Sequence, residues 1–335
     1  MNATSASRPR VVSGMRPTGK LHLGHLVGAL HNWVALQEQY DCYYFVADWH
    51  ALTSEYANTS GITASALDNV ADWLAAGVDP ERSTIFIQSL VPEHSELFLL
   101  LSMVVPIPWL ERVPTYKEQR EQLVEKDLST LGFLSYPLLQ TADVIIYDGK
   151  FVPVGEDQVA HLELSREVVR RFHQFYGEIF VEPQPLLTPT PRLPGLDNRK
   201  MSKSYGNTID LTDDAEGVTK KVRQMYTDPK RVRADIPGTV EGNPVFMYHD
   251  AFNTNTAEVE DLKTRYRAGK VGDVEVKTKL AHAMNAMLEP MRERRRQVMS
   301  TPDRIREIAV EGSRKARGIA QQTMERVRDA VKLRY

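Results

Sequence analysis

Short apolar runs alternate with segments of helical periodicity along the first third of the chain. The runs at 11–14, 43–47 and 84–88 contain β-branched or aromatic residues, which predicts buried strands. Apolar residues at three- and four-residue spacing follow each run and predict helices that begin near Gly24 and cover 62–77 and 93–105. A repeated order of strand, loop and helix is typical of a parallel sheet with helices on both faces.

The pattern continues and then becomes helical. We predict a further strand at 143–147 and an amphipathic helix over 155–176. The proline-rich stretch at 183–194 is predicted to be a loop or an extended connection. After Asp210 the spacing of apolar residues is almost wholly helical.

These elements predict an α/β protein with a Rossmann-like parallel sheet and a C-terminal helical part. A flexible tail is expected at 1–9, and the sheet domain at 10–210 with an insertion at about 106–135. A polar loop at 195–207 belongs to this domain, and a helical region is expected at 211–335.

Charge is unevenly distributed along the chain. The net charge is −2, yet residues 291–335 hold 13 Lys or Arg and 6 Asp or Glu. A basic end on an acidic body is suited to an RNA partner, and it is equally typical of a solvated helix face. Charge alone leaves both interpretations open.

The single cysteine and the apolar runs limit the class of protein. One cysteine, Cys42, excludes a disulfide framework and a cysteine-built metal or iron–sulfur site, and it fits the reducing cytoplasm, where we expect the protein. Residues 1–10 have no apolar core, so no secretion signal is expected. The longest apolar run, 97–110, is too short to span a bilayer, so no membrane partner is expected. It is interpreted as a buried helix at a candidate subunit interface.

A loop rich in glycine and histidine follows the first strand. It reads Thr18-Gly19-Lys20-Leu21-His22-Leu23-Gly24-His25. In this architecture such a loop faces the ligand crevice, and the start of the next helix favours phosphate. Gly24 allows a flat ring such as adenine to lie against the backbone, and two histidines can donate hydrogen bonds to a phosphate. The alternative interpretation of this motif is two surface histidines near the start of a helix.

A second motif lies in the polar loop at 195–207. It reads Lys200-Met201-Ser202-Lys203-Ser204. Two lysines three residues apart can hold a pyrophosphate as mobile point charges, and the serines can add hydrogen bonds. A solvated basic loop is the alternative for this motif alone.

Together, the two motifs resemble the ATP-binding signatures of class I aminoacyl-tRNA synthetases. The resemblance implies that ATP, accompanied by Mg²⁺, is a substrate and that no protein metal cage is needed. It also implies catalytic roles for His22, His25, Lys200 and Lys203. The expected activity joins an amino acid to AMP, releases pyrophosphate and then esterifies a tRNA.

The choice of amino acid depends on residues 136–158. The stretch with Tyr136, Gln140 and Asp143 resembles the side-chain pocket of both the tryptophanyl and the tyrosyl enzymes, since a carboxylate can accept from an indole N–H or a phenol O–H. The stretch at 152–166 resembles the tryptophanyl pattern, which implies L-tryptophan and tRNA(Trp) as substrates and a homodimer.

The resemblance covers nearly the entire chain and implies further contacts. The tryptophan pocket is expected to include Val12, Tyr136, Gln140, Asp143 and Gln158. The expected ATP contacts are Arg16, Pro17, Thr18, Gly24, His25, Lys117, Gly155, Glu156, Asp157, Leu193, Lys200, Met201, Ser202, Lys203 and Ser204.

Two departures from the family pattern affect these expectations. Many tryptophanyl enzymes have glutamine at the position of Arg16, so an arginine there is expected to contact phosphate or a carboxylate instead. A subset of relatives carries cysteines for an iron–sulfur cluster, whereas residues 272–277 and the surroundings of Asn243 have none, so no cluster is expected.

Several other functions are compatible with parts of the sequence. A tyrosyl-tRNA synthetase is the nearest, followed by a synthetase-like paralogue that binds tryptophan or a partner protein but charges no tRNA. A small nucleotidyltransferase with the histidine motif is less favoured because of the lysine loop and the helical extension. A dinucleotide dehydrogenase is disfavoured because the first loop lacks GxGxxG.

Overall fold

The chain forms two compact units, each assembled from separate parts of the sequence. A computed structural model describes residues 8–113, 128–155, 159–187, 193–231 and 233–335. The first unit comprises residues 1–19, 31–189 and 298–335, and the second comprises 20–30 and 190–297. The described chain after residue 210 is helical, with no further strand of the sheet. The compact units divide the chain at other positions, so the division into a sheet domain at 10–210 and a helical region at 211–335 stays a prediction.

A five-stranded sheet organises the first unit. Its order is β3-β2-β1-β4-β5, and every neighbouring pair is parallel. The predicted α/β class with a parallel sheet is therefore confirmed. The strands are β1 (Arg10–Met15), β2 (Asp41–Val46), β3 (Ser83–Ile87), β4 (Phe151–Val154) and β5 (Gln184–Leu187).

Helices make up most of the remaining described chain. The α-helices are α1 (Leu23–His25), α2 (His31–Leu36), α3 (Asp48–Glu55), α4 (Ile62–Ala76), α5 (Glu93–Ser102), α6 (Ile107–Glu111), α7 (Leu131–Ile145), α8 (Val159–Tyr176), α9 (Ala215–Arg223), α10 (Pro244–Phe252), α11 (Thr256–Arg267), α12 (Asp273–Met299) and α13 (Pro302–Ala330). A π-helical turn, Leu26–Leu30, separates α1 from α2. Among the described residues, no helix is both long and apolar enough to cross a membrane.

The strand predicted at 143–147 is wrong, because these residues end helix α7 and form the turn after it. The helix begins after Thr130, whose hydroxyl accepts from the backbone N–H of Phe133 at 3.2 Å. All four residues from Val144 to Tyr147 are buried, at 4% exposure or less. A continuous apolar run has no period that separates a buried helix from a buried strand.

The two strands that the sequence did not predict both follow this helical region in the chain. β4 lies at 151–154, and β5 lies inside the proline-rich stretch. Pro185 has no backbone N–H to donate. β5 is an edge strand that pairs only with β4, and an edge strand is the place in a sheet where a proline is compatible with the strand.

Helix α13 packs tightly on the other edge strand, β3. A side-chain carbon at Gly312 would lie 1.9 Å from the carbonyl oxygen of Ile85, so only glycine fits at this contact. The next residue, Ser313, accepts a hydrogen bond from the backbone N–H of Ile87 at 3.1 Å. This hydroxyl satisfies a backbone donor on the outer side of an edge strand.

The carboxyl ends of the parallel strands meet at one edge of the sheet. Gln88 follows β3 directly, and Asp48 lies two residues after β2. The Asp48 carboxylate accepts from the backbone N–H groups of Trp49 and Ser89, at 3.1 and 3.0 Å, which ties the two neighbouring loops together. Ligands bind at this edge in open α/β sheets.

Candidate active site

The first motif folds around its own backbone in the second unit. The Nδ1 atom of His22 accepts from the backbone N–H of Gly24, and Nδ1 of His25 accepts from the backbone N–H of His22, both at 3.1 Å. The two ring centroids are 4.0 Å apart. In a neutral imidazole only one nitrogen carries hydrogen, so both rings are Nε2–H tautomers with a donor directed away from the cap.

Both histidines are uncharged at neutral pH. Burial lowers the pKa of His25 to about 3, with the neighbouring His22 and the Lys203 ammonium adding to the effect. Burial also lowers the pKa of His22 to about 4, again helped by Lys203. The motif therefore offers two neutral N–H donors beside one cationic side chain.

The second motif is folded around the amide of Asn207, which is 4% exposed. Its carbonyl oxygen accepts from the backbone N–H of Ser202 at 2.9 Å, and its Nδ2 donates to the carbonyl oxygen of Lys200 at 3.1 Å and to Asp197 at 2.8 Å. A side-chain carbon at Gly195 would lie 2.1 Å from Nδ2 of Asn207. One buried amide and one glycine thus fix the backbone of the lysine loop.

The two motifs lie against each other within the second unit. Backbone bonds join Leu23 N–H to the Ile209 carbonyl at 3.0 Å and Leu211 N–H to the Leu21 carbonyl at 2.9 Å. A side-chain carbon at Gly24 would lie 3.1 Å from the sulfur of Met201. Histidine, glycine and lysine residues far apart in sequence are thereby brought into one cluster.

The remaining residues of the lysine loop surround this cluster at different depths. Lys200 is exposed, whereas Met201, Ser202 and Lys203 are half-buried. Leu193 is also half-buried, next to the bridge that pairs Pro194 with Lys200. The backbone of Ser204 lies in a short 3-10 turn, and its side chain is outside the described residues.

Asp143 is the centre of a second cluster, in the first unit. Its side chain is fully buried. Its Oδ2 atom accepts from Nε2 of His50 at 2.7 Å, and its Oδ1 atom accepts from Nε2 of Gln88 at 2.7 Å and from Nδ1 of His94 at 2.6 Å. Burial by itself raises the pKa of this carboxyl, but the hydrogen bonds from the two histidines outweigh burial and lower its pKa to about 2. Asp143 is therefore a buried carboxylate held by three side-chain donors.

Of the residues expected to line the tryptophan pocket with Asp143, Tyr136 and Gln140 lie on the same helix, α7, and Val12 lies on strand β1. Tyr136 and Gln140 are half-buried and precede Asp143 by about two turns and one turn of α7, respectively. The Tyr136 ring lies 6.5 Å from the His50 ring, measured between centroids. Val12 is fully buried in β1.

The loops after β1 and β4 hold some of the expected ATP contacts. Arg16 and Thr18 are exposed, Pro17 is buried, and the Thr18 N–H donates to the Arg16 carbonyl at 2.9 Å. Gly155 is half-buried and directly follows β4. The predictions for Lys117, Glu156, Asp157 and Gln158 fall outside the described residues.

Four residues of these clusters were not predicted from the sequence to have a role in the site: His50, Gln88, His94 and Asn207. Gln88 had a usable signal, because a polar residue directly after a buried strand marks the ligand edge. The buried His94 stands in an apolar helix, where a histidine is more often a core residue. Asn207 follows the lysine motif by three residues, and only the folded loop brings its amide to Lys200 and Ser202.

Comparisons with known proteins agree closely with one another. The family model for class I tRNA synthetases (W and Y) matches residues 4–289. A curated tryptophan–tRNA ligase of Thermotoga maritima is 50% identical over 327 residues, covering 97% of this chain and 100% of the relative. The ligase of Aquifex aeolicus is 44% identical over 393 residues, with 97% and 100% covered.

Solved structures show the same likeness. Tryptophanyl-tRNA synthetase from Campylobacter jejuni, complexed with ADP and tryptophan, has a TM-score of 0.86 at 32% identity and covers 96% of this chain and 99% of its own. Tyrosyl-tRNA synthetase from Archaeoglobus fulgidus, complexed with L-tyrosine, has a TM-score of 0.66 at 24% identity, with 86% of this chain and 90% of its own covered. A likeness at that identity shows the fold alone.

Proposed function

The chain belongs to the class I tRNA synthetases of the tryptophanyl and tyrosyl family, and we infer that its activity is that of a tryptophan–tRNA ligase. It activates L-tryptophan with ATP to tryptophanyl-AMP and pyrophosphate, and then transfers tryptophan to tRNA(Trp). The tyrosyl alternative is disfavoured because curated tryptophan–tRNA ligases match at 50% and 44% identity over 97% of this chain.

The cluster of His22, His25 and Lys203 carries the proposed chemistry of activation. The tryptophan carboxylate attacks the α-phosphorus of ATP, an oxygen–phosphorus bond forms, and the bond to pyrophosphate breaks. The Nε2–H groups of the two histidines donate to the oxygens on which charge develops, and they do so as neutral donors. Phosphoryl transfer depends mainly on such positioning and charge stabilisation, with no protein nucleophile.

The lysines act on the leaving group. Lys203 is half-buried beside the histidines, and Lys200 is exposed on the same loop. We assign both to the departing pyrophosphate, which leaves with the magnesium ion that accompanies ATP. Magnesium is commonly held by substrate phosphates rather than by a dedicated protein cage.

Asp143 is the proposed selector of tryptophan. As an ionised carboxylate it accepts the indole N–H, which an apolar pocket cannot do. Tyr136, Gln140 and Val12 are assigned to the walls of the pocket, together with Gln158, which lies outside the described residues. A site built to bond a substrate N–H rejects analogues that lack it.

We also propose tRNA and a second copy of the chain as partners. Arg306, Arg314 and Lys315 on α13 are exposed and form no ion pair with a described residue, so their charge is available for tRNA phosphates. Three apolar side chains of the 97–110 segment are exposed, Leu99 at 53%, Met103 at 69% and Ile107 at 61%. Such a group of apolar residues is suited to a homodimer interface.

Variants of His25 test the proposed donor directly. An asparagine side chain can replace Nδ1 as the cap acceptor for His22 N–H but has no donor at the position of Nε2, whereas a glutamine can place an amide N–H near that position. We expect His25→Asn to slow tryptophan-dependent ATP–pyrophosphate exchange by roughly 100-fold or more, about 3 kcal/mol in the barrier, and His25→Gln to slow it less.

A matched control is His282→Asn, which changes an exposed histidine of α12. It should leave the exchange rate unchanged. Exchange by His25→Asn at the wild-type rate would remove His25 from the mechanism. A second assay, transfer of tryptophan to tRNA, separates a synthetase from a paralogue that activates tryptophan but charges no tRNA.

A further inference from the structure

The imidazole of His94 is bonded at both nitrogens and is fully buried. Nδ1 contacts Oδ1 of Asp143 at 2.6 Å, and Nε2 contacts the hydroxyl of Tyr147 at 2.6 Å. Tyr147 is also fully buried. Both partners of His94 come from the end of α7 and the turn after it, while His94 itself lies in the first turn of α5.

The direction of these hydrogen bonds follows from the groups involved. An ionised carboxylate only accepts, so Nδ1 of His94 carries the hydrogen. Burial raises the pKa of Tyr147 well above its ordinary value, so its hydroxyl keeps its proton. The Tyr147 O–H therefore donates to Nε2, and the His94 Nδ1–H donates to Asp143.

The two oxygens of Asp143 are unequally occupied. Oδ1 accepts from both Gln88 and His94, whereas Oδ2 accepts from His50 alone among the described residues. Each carboxylate oxygen accepts about two hydrogen bonds, so Oδ2 has one acceptor position left. His50 is also the one histidine of the cluster with some exposure, at 8%.

The orientation of Gln88 is fixed in the same way. Its Oε1 accepts from the backbone N–H of Trp49 at 3.2 Å, which directs Nε2 towards Asp143. Ion pairs also hold the flanks of the His94–Tyr147 bond: Arg317 pairs with Glu93 at 2.9 Å, and Arg326 pairs with Asp148 at 2.9 Å. The carboxylate is therefore clamped on the Oδ1 side.

We propose that His94 and Tyr147 are positioning residues for tryptophan recognition, which fix Asp143 as an oriented carboxylate and leave Oδ2 to accept the indole N–H. The proposal rests on the function assigned to Asp143 above. Neither residue touches the substrate, and both act through Asp143. The Asp143 carboxylate fixes the Nδ1–H tautomer of His94, and the Tyr147 hydroxyl satisfies the other ring nitrogen, which holds the ring and its Nδ1–H in line with Oδ1.

Tyr147→Phe tests the pair with minimal change of volume. The variant keeps the ring, which stacks on Tyr43 at 5.2 Å between centroids, and removes only the hydroxyl. Nε2 of His94 is then buried without its donor, so the ring is no longer held from both ends and its Nδ1–H fixes Oδ1 less well. We expect the KM for tryptophan in pyrophosphate exchange to rise about tenfold, which corresponds to about 1.4 kcal/mol, with kcat and the KM for ATP nearly unchanged.

The matched control is Tyr44→Phe. Tyr44 is equally buried, and its hydroxyl donates to the carbonyl of Trp33 at 2.9 Å, away from Asp143. Both variants lose one buried phenol hydrogen bond, so both should lose similar stability. Only Tyr147→Phe should raise the KM for tryptophan, and equal values for the two variants would overturn the proposal.

Two further measurements address the tautomer. Nitrogen-15 spectra of histidine-labelled protein should give the Nδ1–H pattern for His94 in the wild type, and in Tyr147→Phe the Nε2 resonance of His94 should shift because its hydrogen-bond donor is lost. His94→Asn, which can keep an N–H donor towards Asp143, should retain a KM near the wild-type value, whereas His94→Leu should raise it about tenfold or more. An unaltered His94 spectrum in Tyr147→Phe, or equal KM values for the two His94 variants, would contradict the assigned role.

The variant Asp143→Asn distinguishes an error in the roles of His94 and Tyr147 from an error in the role of Asp143 itself. If this variant leaves the KM for tryptophan unchanged, Asp143 does not bind the indole, and the proposed recognition fails together with the pair. If Asp143→Asn raises the KM but Tyr147→Phe does not, Asp143 keeps its role and only the positioning pair is wrong. A rise in both supports the pair.

Discussion

At the residue scale, backbone groups decide the chemistry of the histidine motif. The letters of the motif identify two histidines, but they give no information on which nitrogen carries hydrogen. Two backbone N–H groups occupy the Nδ1 atoms, so both rings must present Nε2–H. A protonated ring would lose these acceptors, which adds to the effect of burial on the pKa.

The lowered pKa values predict how stability depends on pH. In the unfolded chain a histidine titrates near pH 6.5, whereas in the folded protein the pKa of His22 is about 4 and that of His25 about 3. Between these values the unfolded state binds protons that the folded state does not, so stability falls as pH falls from about 7 to 4. Urea unfolding at pH 7 and pH 5 measures this loss.

His25→Gln removes one of the two groups and provides the comparison. The variant should lose less stability than the wild type between pH 7 and pH 5, by on the order of 1 kcal/mol. An identical loss in both proteins would show that His25 is protonated in the folded state. His282→Gln, at an exposed site, controls for the substitution itself.

The sequence predicted part of the two clusters and missed the rest for a physical reason. His22, His25, Lys203 and Asp143 were identified because their residue types and local motifs are informative. Asn207, His94 and Tyr147 act through hydrogen bonds whose geometry is set only after folding, and nothing in their own neighbourhood distinguishes them from ordinary core or loop residues.

At the element scale, periodicity located most helices and strands but failed where burial was uniform. The predicted strands at 11–14, 43–47 and 84–88 match β1 to β3 within two residues. The helix predicted over 62–77 is confirmed, with Gly77 in the left-handed conformation at φ 110° as its C-cap. The segment 143–147 was misassigned because it is almost wholly apolar and buried. β5 was missed because the prolines of the 183–194 stretch favour an extended connection over a strand.

The contact between α13 and β3 gives a prediction at this scale. Gly312→Ala would place a carbon 1.9 Å from the Ile85 carbonyl oxygen, so helix and strand must move apart. We expect a loss of about 1–3 kcal/mol in the free energy of unfolding, despite the better helix propensity of alanine.

Gly318 on the same helix is the matched control. A side-chain carbon at this position would have no neighbouring atom within 4 Å, so Gly318→Ala should gain up to about 1 kcal/mol. Opposite signs for the two variants in urea unfolding support the close packing of α13. A gain in both would show that the helix is free to shift.

At the scale of the whole molecule, the chain crosses between its compact units more than once. Residues 20–30 belong with 190–297, so the histidine motif and the lysine loop share a unit although a long stretch of sequence separates them. Residues 298–335 belong with the sheet. Changes in composition along the sequence predict boundaries between domains, but they give no sign of such returns.

Helix α13 belongs to the sheet unit, and some of its basic side chains form ion pairs within that unit. Arg317, Arg326 and Arg328 pair with Glu93, Asp148 and Glu96 within the first unit. These arginines stabilise the helix on the sheet domain. The charge proposed for tRNA is therefore smaller than the local excess of basic residues suggests.

The exposed apolar side chains of the 97–110 segment lead to a prediction about assembly. Ile107→Lys places a charge at a side chain that is 61% exposed, so it should leave the folded chain intact and disrupt a homodimer that buries this position. Sedimentation velocity should show a dimer for the wild type and a monomer for the variant. Val274→Lys, at an 81% exposed site in α12, should remain dimeric. A dimeric Ile107→Lys would place the interface elsewhere.

Activation of tryptophan is the first step of the proposed reaction, and exchange between ATP and pyrophosphate measures that step directly. The assay supplies each of the twenty amino acids singly to the wild-type protein with magnesium and ATP. We expect tryptophan to drive exchange and tyrosine to remain near the level without amino acid. Exchange driven by tyrosine, or by no amino acid, would contradict the account.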